Sequence, residues 1–386
     1  MISITRNRYL LIQITLIILV LLTNVLSADD AVDPVLDFID PTPDDGDYQT
    51  ERYVEINVSI EEENLDELNY NWNGTNYTMY DDTLVLMYNF DNIASLGEDS
   101  STVVDMSGNG NSGSVTQATW TSLGKYHGAF DFDGNGDYIS CSADLNQWLG
   151  GTASLSVWIK TTQTGDLDPW DSPTITGFEE AGGGNDIFWG FIDNNGKIGI
   201  QAGNTEGAKT ASAVNDGSWH HIAMTRDSTS GEVKIYLDGS LSGTATSDSG
   251  QKTSSFYSIG RLEDGAANVY YDGLIDEARI WDSELNSEQI YQLYASNLQK
   301  YNSTQWYLTI NQSKDATSSL DDGTYTYQAF ATDESSNEAN TEERTIHINM
   351  DPSPPVPETA TLVLLGIGFI ILIFVTFSKK EGENES

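Results

Sequence analysis

Short runs of alternating apolar and polar residues, separated by turn residues, constrain the fold of this chain more than any other feature. Residues 54–60 (VEINVSI) alternate strictly, and residues 306–310, 325–332 and 345–349 repeat the pattern near the other end. Alternation with a period of two residues is typical of a strand that buries one face. The sequence therefore predicts an all-β protein.

The charge and cysteine content exclude several function classes. The 386 residues include 59 acidic and 17 basic side chains, a formal net charge of −42. A charge of this size repels phosphate backbones, so we expect no nucleic-acid partner. Cys141 is the single cysteine of the sequence, which excludes an intramolecular disulfide and a cysteine-based zinc finger. The acidity favours a salt-exposed surface that stays soluble through its net charge.

Residues 1–28 predict a secretory signal. Arg6 and Arg8 precede an apolar run, and the residues after that run place a cleavage site after Ser27 or Ala28. The apolar run is long for a signal, so an uncleaved N-terminal anchor is the alternative.

Residues 360–378 predict a transmembrane helix, because their apolar run carries no charge and can span a ~30 Å hydrocarbon core. The two lysines that open the tail 379–386 favour the cytoplasmic side, which places the preceding chain outside the cell. The Pro-rich linker 351–359 ends in PVPET; with the span and the basic end it resembles the sorting tails read by exosortases and archaeosortases. Thr359 replaces the second Pro of the bacterial version, so we expect a plain single-pass anchor at the cell surface.

Five N-x-[ST] sequons lie in the predicted exterior region. They are Asn57, Asn73, Asn76, Asn302 and Asn311. None falls between residues 82 and 300, which indicates that the two flanking stretches share a surface.

The flanking stretches 34–83 and 300–350 each supply three or four predicted strands, too few for a stable sandwich. Together they have about seven strands, the size of one immunoglobulin-like (Ig-like) domain. We therefore expect residues 84–299 to be inserted into an Ig-like β-sandwich that follows a short linker, residues 29–33. Two independent half-domains are the alternative.

The central block carries eight short motifs in order. They are LVLMYNFD (84–91), DMSGNGNSG (105–113), GAFDFDGNGDYI (128–139), LSVWIK (155–160), GSWHHIA (217–223), KIYLDG (234–239), IGR (259–261) and GLIDEARIW (273–281). This order and spacing resembles the LamG-like jelly roll, a concanavalin A-like lectin/glucanase sandwich. The resemblance covers residues 84–299 and implies a closing helix, which we expect at residues 286–299 with Asn286 as its cap.

The resemblance also implies a structural Ca²⁺ that joins the first and last strands. Asp91 ends the first predicted strand, Asn109 and Asn111 lie in a Gly-rich loop, and Asp276 lies on a late strand. Carboxylate and amide oxygens suit this ion. Solvated turn residues are the alternative interpretation.

The long loop 163–172 (QTGDLDPWDS) is the predicted ligand site. It carries Asp166, Asp168, Trp170 and Asp171. An exposed Trp beside carboxylates can stack on a sugar ring and bind its hydroxyls. A Trp that pins the loop to the core is the alternative.

The sequence offers little support for an enzyme. His220 and His221 are adjacent on a predicted strand, so their side chains point to opposite faces. The E-x-D-x-x-E run of glucanases, the G-x-S-x-G elbow and the H-E-x-x-H motif do not occur in the sequence. We therefore expect a non-enzymatic adhesion protein that recognises extracellular carbohydrate or a surface protein. A purely structural envelope component and a cryptic glycan hydrolase are the alternatives.

Overall fold

Strand Val54–Glu61 shows how the alternating pattern becomes structure. Val54, Ile56, Val58 and Ile60 are fully buried, while the residues between them are exposed or half-buried. Successive side chains of a strand point to opposite faces, so each such run packs one face into a core. Strands of this kind dominate the structure and confirm the predicted all-β fold.

The computed structural model describes residues 32–264, 268–313 and 319–349. The predicted signal, transmembrane helix, sorting-tail segment and cytoplasmic tail lie outside the described residues. Within those ranges, no helix combines the length and the apolar character that a membrane crossing requires.

The strands and helices divide into three groups along the chain. The first strands are β1 (Val35–Ile39), β2 (Asp47–Gln49), β3 (Val54–Glu61), β4 (Leu65–Trp72) and β5 (Thr75–Tyr80). The central block contains β6 (Leu84–Tyr88), β7 (Thr102–Val103), β8 (Gly113–Thr116), β9 (Thr119–Thr121), β10 (Ala129–Asp133), β11 (Tyr138–Cys141), α1 (Asn146–Leu149), β12 (Ala153–Lys160), β13 (Thr174–Glu179), β14 (Ile187–Ile192), β15 (Ile198–Ala202), β16 (Ala208–Lys209), β17 (Trp219–Arg226), β18 (Glu232–Leu237), β19 (Ser240–Thr246), β20 (Ser258–Ile259), β21 (Arg261–Asp264), β22 (Val269–Tyr270), β23 (Asp272–Trp281) and α2 (Ser287–Ala295). The last strands are β24 (Ser296–Lys300), β25 (Gln305–Gln312), β26 (Gly323–Asp333), β27 (Glu338–Asn340) and β28 (Arg344–Ile348).

Two sheets form what we call the flanking sandwich. Sheet 1 has the order β1-β3-β25-β24, and sheet 2 has the order β2-β28-β26-β4-β5 with β27 beside β26. Strand β3 pairs with β25 and β4 pairs with β26, both antiparallel. Strands from before and after the central block therefore complete the same two sheets.

Three sheets form the central sandwich. Sheet 3 has the order β19-β18-β17-β12-β23-β10-β9, sheet 4 has β20-β11-β8-β7, and sheet 5 has β16-β15-β14-β13-β21-β22. Strand β6 pairs with β23, so the first and last strands of the block are neighbours. Val157 and Ile222 of sheet 3 pack in one cluster with Ile139 of sheet 4 and Trp189 of sheet 5. Sheets 3, 4 and 5 therefore share one core, a layered arrangement that fits a jelly roll.

A second hydrophobic cluster joins the two sandwiches. Met87 and Trp281 of the central sandwich lie in it together with Ile290 and Leu293 of α2 and with Trp306 of sheet 1. Helix α2 also contacts β5, β19 and β25. The outer face of sheet 3 is thus covered by α2 and the flanking sandwich, which encloses the polar side chains on that face.

The closing helix begins as predicted but is shorter. The Asn286 side chain accepts hydrogen bonds from the N–H groups of Glu288 and Gln289, and Gln289 Oε1 accepts from Asn286 N–H, a complete capping box. The prediction that it continues to residue 299 is wrong: residues 296–300 form β24, which pairs with β25. Leu298 is fully buried in that pairing, and the burial outweighs another helical turn.

Candidate functional site

The loop 163–172 connects β12 to β13 and is fixed at both ends. At its start, the Gln163 side chain binds the backbone of residues 270–272. Its Nε2 donates to a carbonyl (3.0 Å), and its Oε1 accepts from an N–H (2.9 Å). At its end, the buried Ser172 Oγ donates to the Asp168 carbonyl (2.9 Å) and accepts from Asp166 N–H (3.1 Å). These bonds hold the base of the loop on the sandwich and present its tip to solvent.

The tip of the loop exposes apolar side chains. Leu167 is 67 % exposed and Trp170 is 43 % exposed. Residues 169–171 form a 3₁₀ turn in which Pro169, and not the indole, is buried. Pro169 and Ser172 therefore hold the loop in place, and the Trp170 indole has a free surface.

The predicted acidic residues lie along the same loop. Asp166 Oδ1 accepts a hydrogen bond from Leu167 N–H (2.6 Å), Asp168 is half-buried beside the 3₁₀ turn, and Asp171 is exposed within it. The structure thus places three carboxyl groups and one indole on a single surface segment of about ten residues.

A second acidic group lies next to this loop. Strands β13 and β21 run parallel and pair Glu179 with Asp264. Burial and a hydrogen bond with Asp264 raise the pKa of Glu179 to about 7, and the charges of Asp186 and Asp171 act in the same direction. Sequence reasoning missed this pair because its members lie 85 positions apart on parallel strands.

The four residues predicted to bind calcium separate into two groups. Asn109 Nδ2 donates to the Leu84 carbonyl (3.1 Å), and Asn111 Nδ2 donates to the Val85 carbonyl (2.8 Å), at the start of β6. Asp91 follows the other end of the same strand. The structure therefore brings Asp91 and Asp276 together but not the two asparagines.

Asp91 and Asp276 accept hydrogen bonds from one loop. Gly128 N–H donates to Asp91 Oδ1 (3.2 Å), and Tyr126 N–H donates to Asp276 Oδ2 (3.0 Å). Gln299 Nε2 donates to Asp91 Oδ2 at 2.7 Å. In the described part of the chain, no three Asp, Glu, His or Cys side chains form a group that could hold a metal ion.

A β-bulge concentrates carboxyl groups behind that loop. The register between β12 and β23 shifts near Glu277, whose φ is +52°. Adjacent side chains, Asp276 and Glu277, therefore both enter the buried region near Asp91. Burial raises the pKa of all three carboxyls, to about 7 for Asp91. Arg279 Nη2 donates to Glu277 Oε2 at 2.6 Å, and its positive charge offsets part of the negative charge of these carboxyls.

The two histidines point to opposite faces of β17, as the strand period predicts. His220 Nδ1 lies 3.0 Å from an Asp238 carboxyl oxygen and Nε2 lies 3.3 Å from Asp216. His221 is buried with Nε2 2.8 Å from Ser156 Oγ, and burial lowers its pKa to about 3. His221 is therefore neutral at pH 7, and the two rings do not form one site.

The predicted glycosylation sites differ in accessibility. Asn73, Asn76 and Asn311 are exposed, the first two at the β4–β5 hairpin. Asn57 is half-buried and donates to the Asp40 carbonyl (3.1 Å), while Asn302 Oδ1 accepts from the N–H groups of the turn that follows it. Glycosylation stays a prediction, and the structure favours the three exposed asparagines for it.

Comparison with known proteins bears on the central sandwich. Residues 133–291 match the concanavalin A-like lectin/glucanases superfamily. The match supports the predicted LamG-like jelly roll. The chain is also similar to two relatives, each described as sushi, von Willebrand factor type A, EGF and pentraxin domain-containing protein 1. The Rattus norvegicus protein is 28 % identical over 151 residues, and the Mus musculus protein is 30 % identical over 151 residues. Each alignment covers 37 % of this chain, and the chain spans only 4 % of the length of these relatives.

Solved structures resemble the chain at low similarity. Domain 4 of AbnA, a GH43 extracellular arabinanase from Geobacillus stearothermophilus in complex with arabinotriose, aligns with a TM-score of 0.37 and 22 % identity, covering 54 % of this chain and 96 % of that chain. Trypanosoma rangeli sialidase in complex with sialic acid aligns with a TM-score of 0.40 and 15 % identity, covering 57 % and 34 %.

Proposed function

We propose that this protein is a non-enzymatic adhesion protein whose central sandwich binds extracellular carbohydrate through the loop 163–172. The observation that carries the proposal is the half-exposed indole of Trp170 on a fixed loop, with the carboxyls of Asp166, Asp168 and Asp171 along the same segment. An indole face stacks on the apolar face of a sugar, and carboxylates accept hydrogen bonds from its hydroxyls. The strongly negative charge favours a neutral polysaccharide over an anionic one.

We also propose the arrangement that would present this site at a cell surface. The pairing of β3 with β25 and of β4 with β26 supports an Ig-like sandwich interrupted by the central one. In this proposal the signal at residues 1–28 directs export, and the helix at residues 360–378 anchors the chain in the membrane. A neighbouring surface protein is the alternative ligand.

The test is binding of the full-length protein, and of Trp170→Ala, to a panel of neutral polysaccharides and envelope fractions. We expect saturable binding by the wild type and a loss of about 1–3 kcal/mol in Trp170→Ala, a roughly 5- to 150-fold weaker Kd, as for other buried aromatic contacts. Leu241→Ala, which removes an exposed apolar side chain from β19, is the control and should bind normally.

Other outcomes of the same panel assign the alternatives. Equal binding by Trp170→Ala and wild type would contradict the proposed site, and no binding at all would favour a purely structural envelope component. Release of reducing ends would favour a glycan hydrolase. One observation supports that alternative: Glu179 lies beside Asp264, and its raised pKa suits acid catalysis.

Calcium remains a proposal for the region around Asp91 and Asp276. If Ca²⁺ binds there, saturating CaCl₂ should raise the Tm of the wild type by several degrees over EGTA, because a ligand that binds only the folded state stabilises it. Asp91→Ala should remove that difference. Identical wild-type melting curves in Ca²⁺ and EGTA would contradict the proposal.

A further inference from the structure

An ammonium group lies against aromatic rings on the central sandwich. Lys125 Nζ is 4.1 Å from the centroid of the Trp158 ring and 5.7 Å from that of Tyr126. Tyr126 meets Trp158 edge-on at 6.1 Å, and Tyr294 stacks on Trp158 at 5.7 Å with 27° between the planes. We call Trp158, Tyr126 and Tyr294 the aromatic box: the ammonium group lies within cation–π distance of the Trp158 and Tyr126 rings, and Tyr294 packs on Trp158.

The rings of the box are held by the fold. Trp158 lies on β12 and is 4 % exposed, and Tyr294 lies on α2. The N–H of Tyr126 donates to Asp276 Oδ2, which fixes the backbone of the loop at this point. Lys125, by contrast, is an exposed residue on a side chain with four rotatable bonds. The cation is therefore the movable part of this arrangement.

Two carboxyl groups lie near the ammonium group of Lys125. Burial lowers the pKa of Lys125, and the carboxyl groups of Asp238 and Asp276 oppose that shift. Asp276 is fully buried, and among the described residues its Oδ1 has no hydrogen-bond partner. The box thus combines aromatic faces with nearby carboxyl groups, the chemistry that recognises an alkylammonium group.

We propose that the aromatic box is a binding site for the ammonium group of a lysine side chain on a partner protein, and that Lys125 occupies it in the free protein. A partner with exposed lysines complements a chain whose net charge is −42. Lys125 lowers the apparent affinity of the site, because only the fraction of molecules with an empty box can bind. This proposal shares no residue with the proposed carbohydrate site and does not depend on it.

The test measures binding of n-butylammonium, which has the chemistry of a lysine tip, to the full-length protein by NMR of the Trp158 indole N–H. Trp158→Phe assigns that resonance. Lys125→Ala should bind at least about ten-fold more tightly than wild type if the box is empty in a tenth or less of wild-type molecules. Lys197→Ala, which removes another lysine of the same sandwich, should match wild type, and n-butanol should not bind.

Three results would overturn the proposal. The first is a folded Lys125→Ala variant that binds n-butylammonium no more tightly than wild type. The second is a gain in affinity in Lys125→Ala that persists when Trp158→Leu is added. The third is binding of n-butanol as tight as that of n-butylammonium. Lys125→Gln is measured in parallel, so that a folding failure of one variant leaves the other as the test. In the expected case, a peptide with a free lysine should compete with n-butylammonium, and its Nε-acetylated form should not.

Discussion

Replacing Arg226 by alanine is expected to lower the free energy of unfolding by about 4 kcal/mol or more. Arg226 is fully buried at the end of β17, where it continues the inward-facing positions of that strand. Its Nη1 donates to the carbonyls of Gly150 and Gly151, both at 2.8 Å, and its Nη2 donates to those of Asp248 (3.1 Å) and Gly250 (2.6 Å). The guanidinium therefore ties the segment after α1 to the loop after β19.

The size of this effect follows from the four carbonyl groups. Each buried acceptor that loses its partner costs about 1 kcal/mol or more, and the vacated volume adds a cavity cost. Arg226→Lys keeps a cation, but it presents fewer donors and lacks the planar fork of the guanidinium. Its loss of unfolding free energy should therefore lie between zero and that of Arg226→Ala.

Urea unfolding followed by circular dichroism measures the effect of these variants. Arg52→Ala is the control, since Arg52 is half-exposed in an ion pair with Asp322 at 2.9 Å, and its loss should cost about 1 kcal/mol. A cost for Arg226→Ala no larger than for Arg52→Ala would contradict the role of Arg226 as a buried tie.

The second large effect is a loss of stability as the pH rises from about 4 to about 8. Burial raises the pKa of Asp91 from 3.8 to about 7, so between these two values the folded state keeps a proton that the unfolded state has released. Stability is therefore fully present below the unfolded pKa and is lost as the pH rises through the folded one. For Asp91 alone the loss amounts to about 4 kcal/mol. Asp276 and Glu277, whose pKa values are raised in the same direction, add to it.

Asp91→Asn isolates this contribution. Asparagine still accepts from Gly128 N–H, and the Gln299 amide can turn its oxygen to the new side chain, so the variant should fold and lose stability less steeply between pH 4 and pH 8. The measurement is the urea midpoint across this range, in EGTA so that metal ions do not contribute. Asp99→Asn is the control: the pKa of the exposed Asp99 is lowered by hydrogen bonds from Ser101, so it titrates below the interval. Parallel curves for wild type and Asp91→Asn would contradict the prediction.

Local pattern determined much of the architecture. Alternation predicted the strands, turn residues separated them, and the cap at Asn286 marked the start of α2. These features depend on neighbours within a few positions, so a single sequence contains them. The order of motifs also sufficed to indicate the jelly roll that the family match supports. The exposure of Trp170 was one of two predicted alternatives, and the burial of Pro169 decided between them.

The candidate sites depended on contacts that a sequence does not display. The alternation of β23 predicts that Asp276 and Glu277 face apart, yet the bulge brings both beside Asp91. The Glu179–Asp264 pair required a parallel strand pairing, and the aromatic box combines a loop, a strand and a helix. Arg226 is enclosed by two segments that lie far from it in the sequence, and the strand pattern around it does not display these contacts.

The sequence by itself determined that this protein is an all-β chain, because strand period, turns and caps are local, and the resemblance of its motif order indicated the jelly roll. The tertiary structure alone decided which carboxyls share a buried space, which aromatic rings receive a cation and where the flanking strands pair. The physical reason is that electrostatic and packing energies depend on distances between groups far apart along the chain. Gln299 and Asp91, which are 208 positions apart, are one such pair, and only folding sets the distance between them.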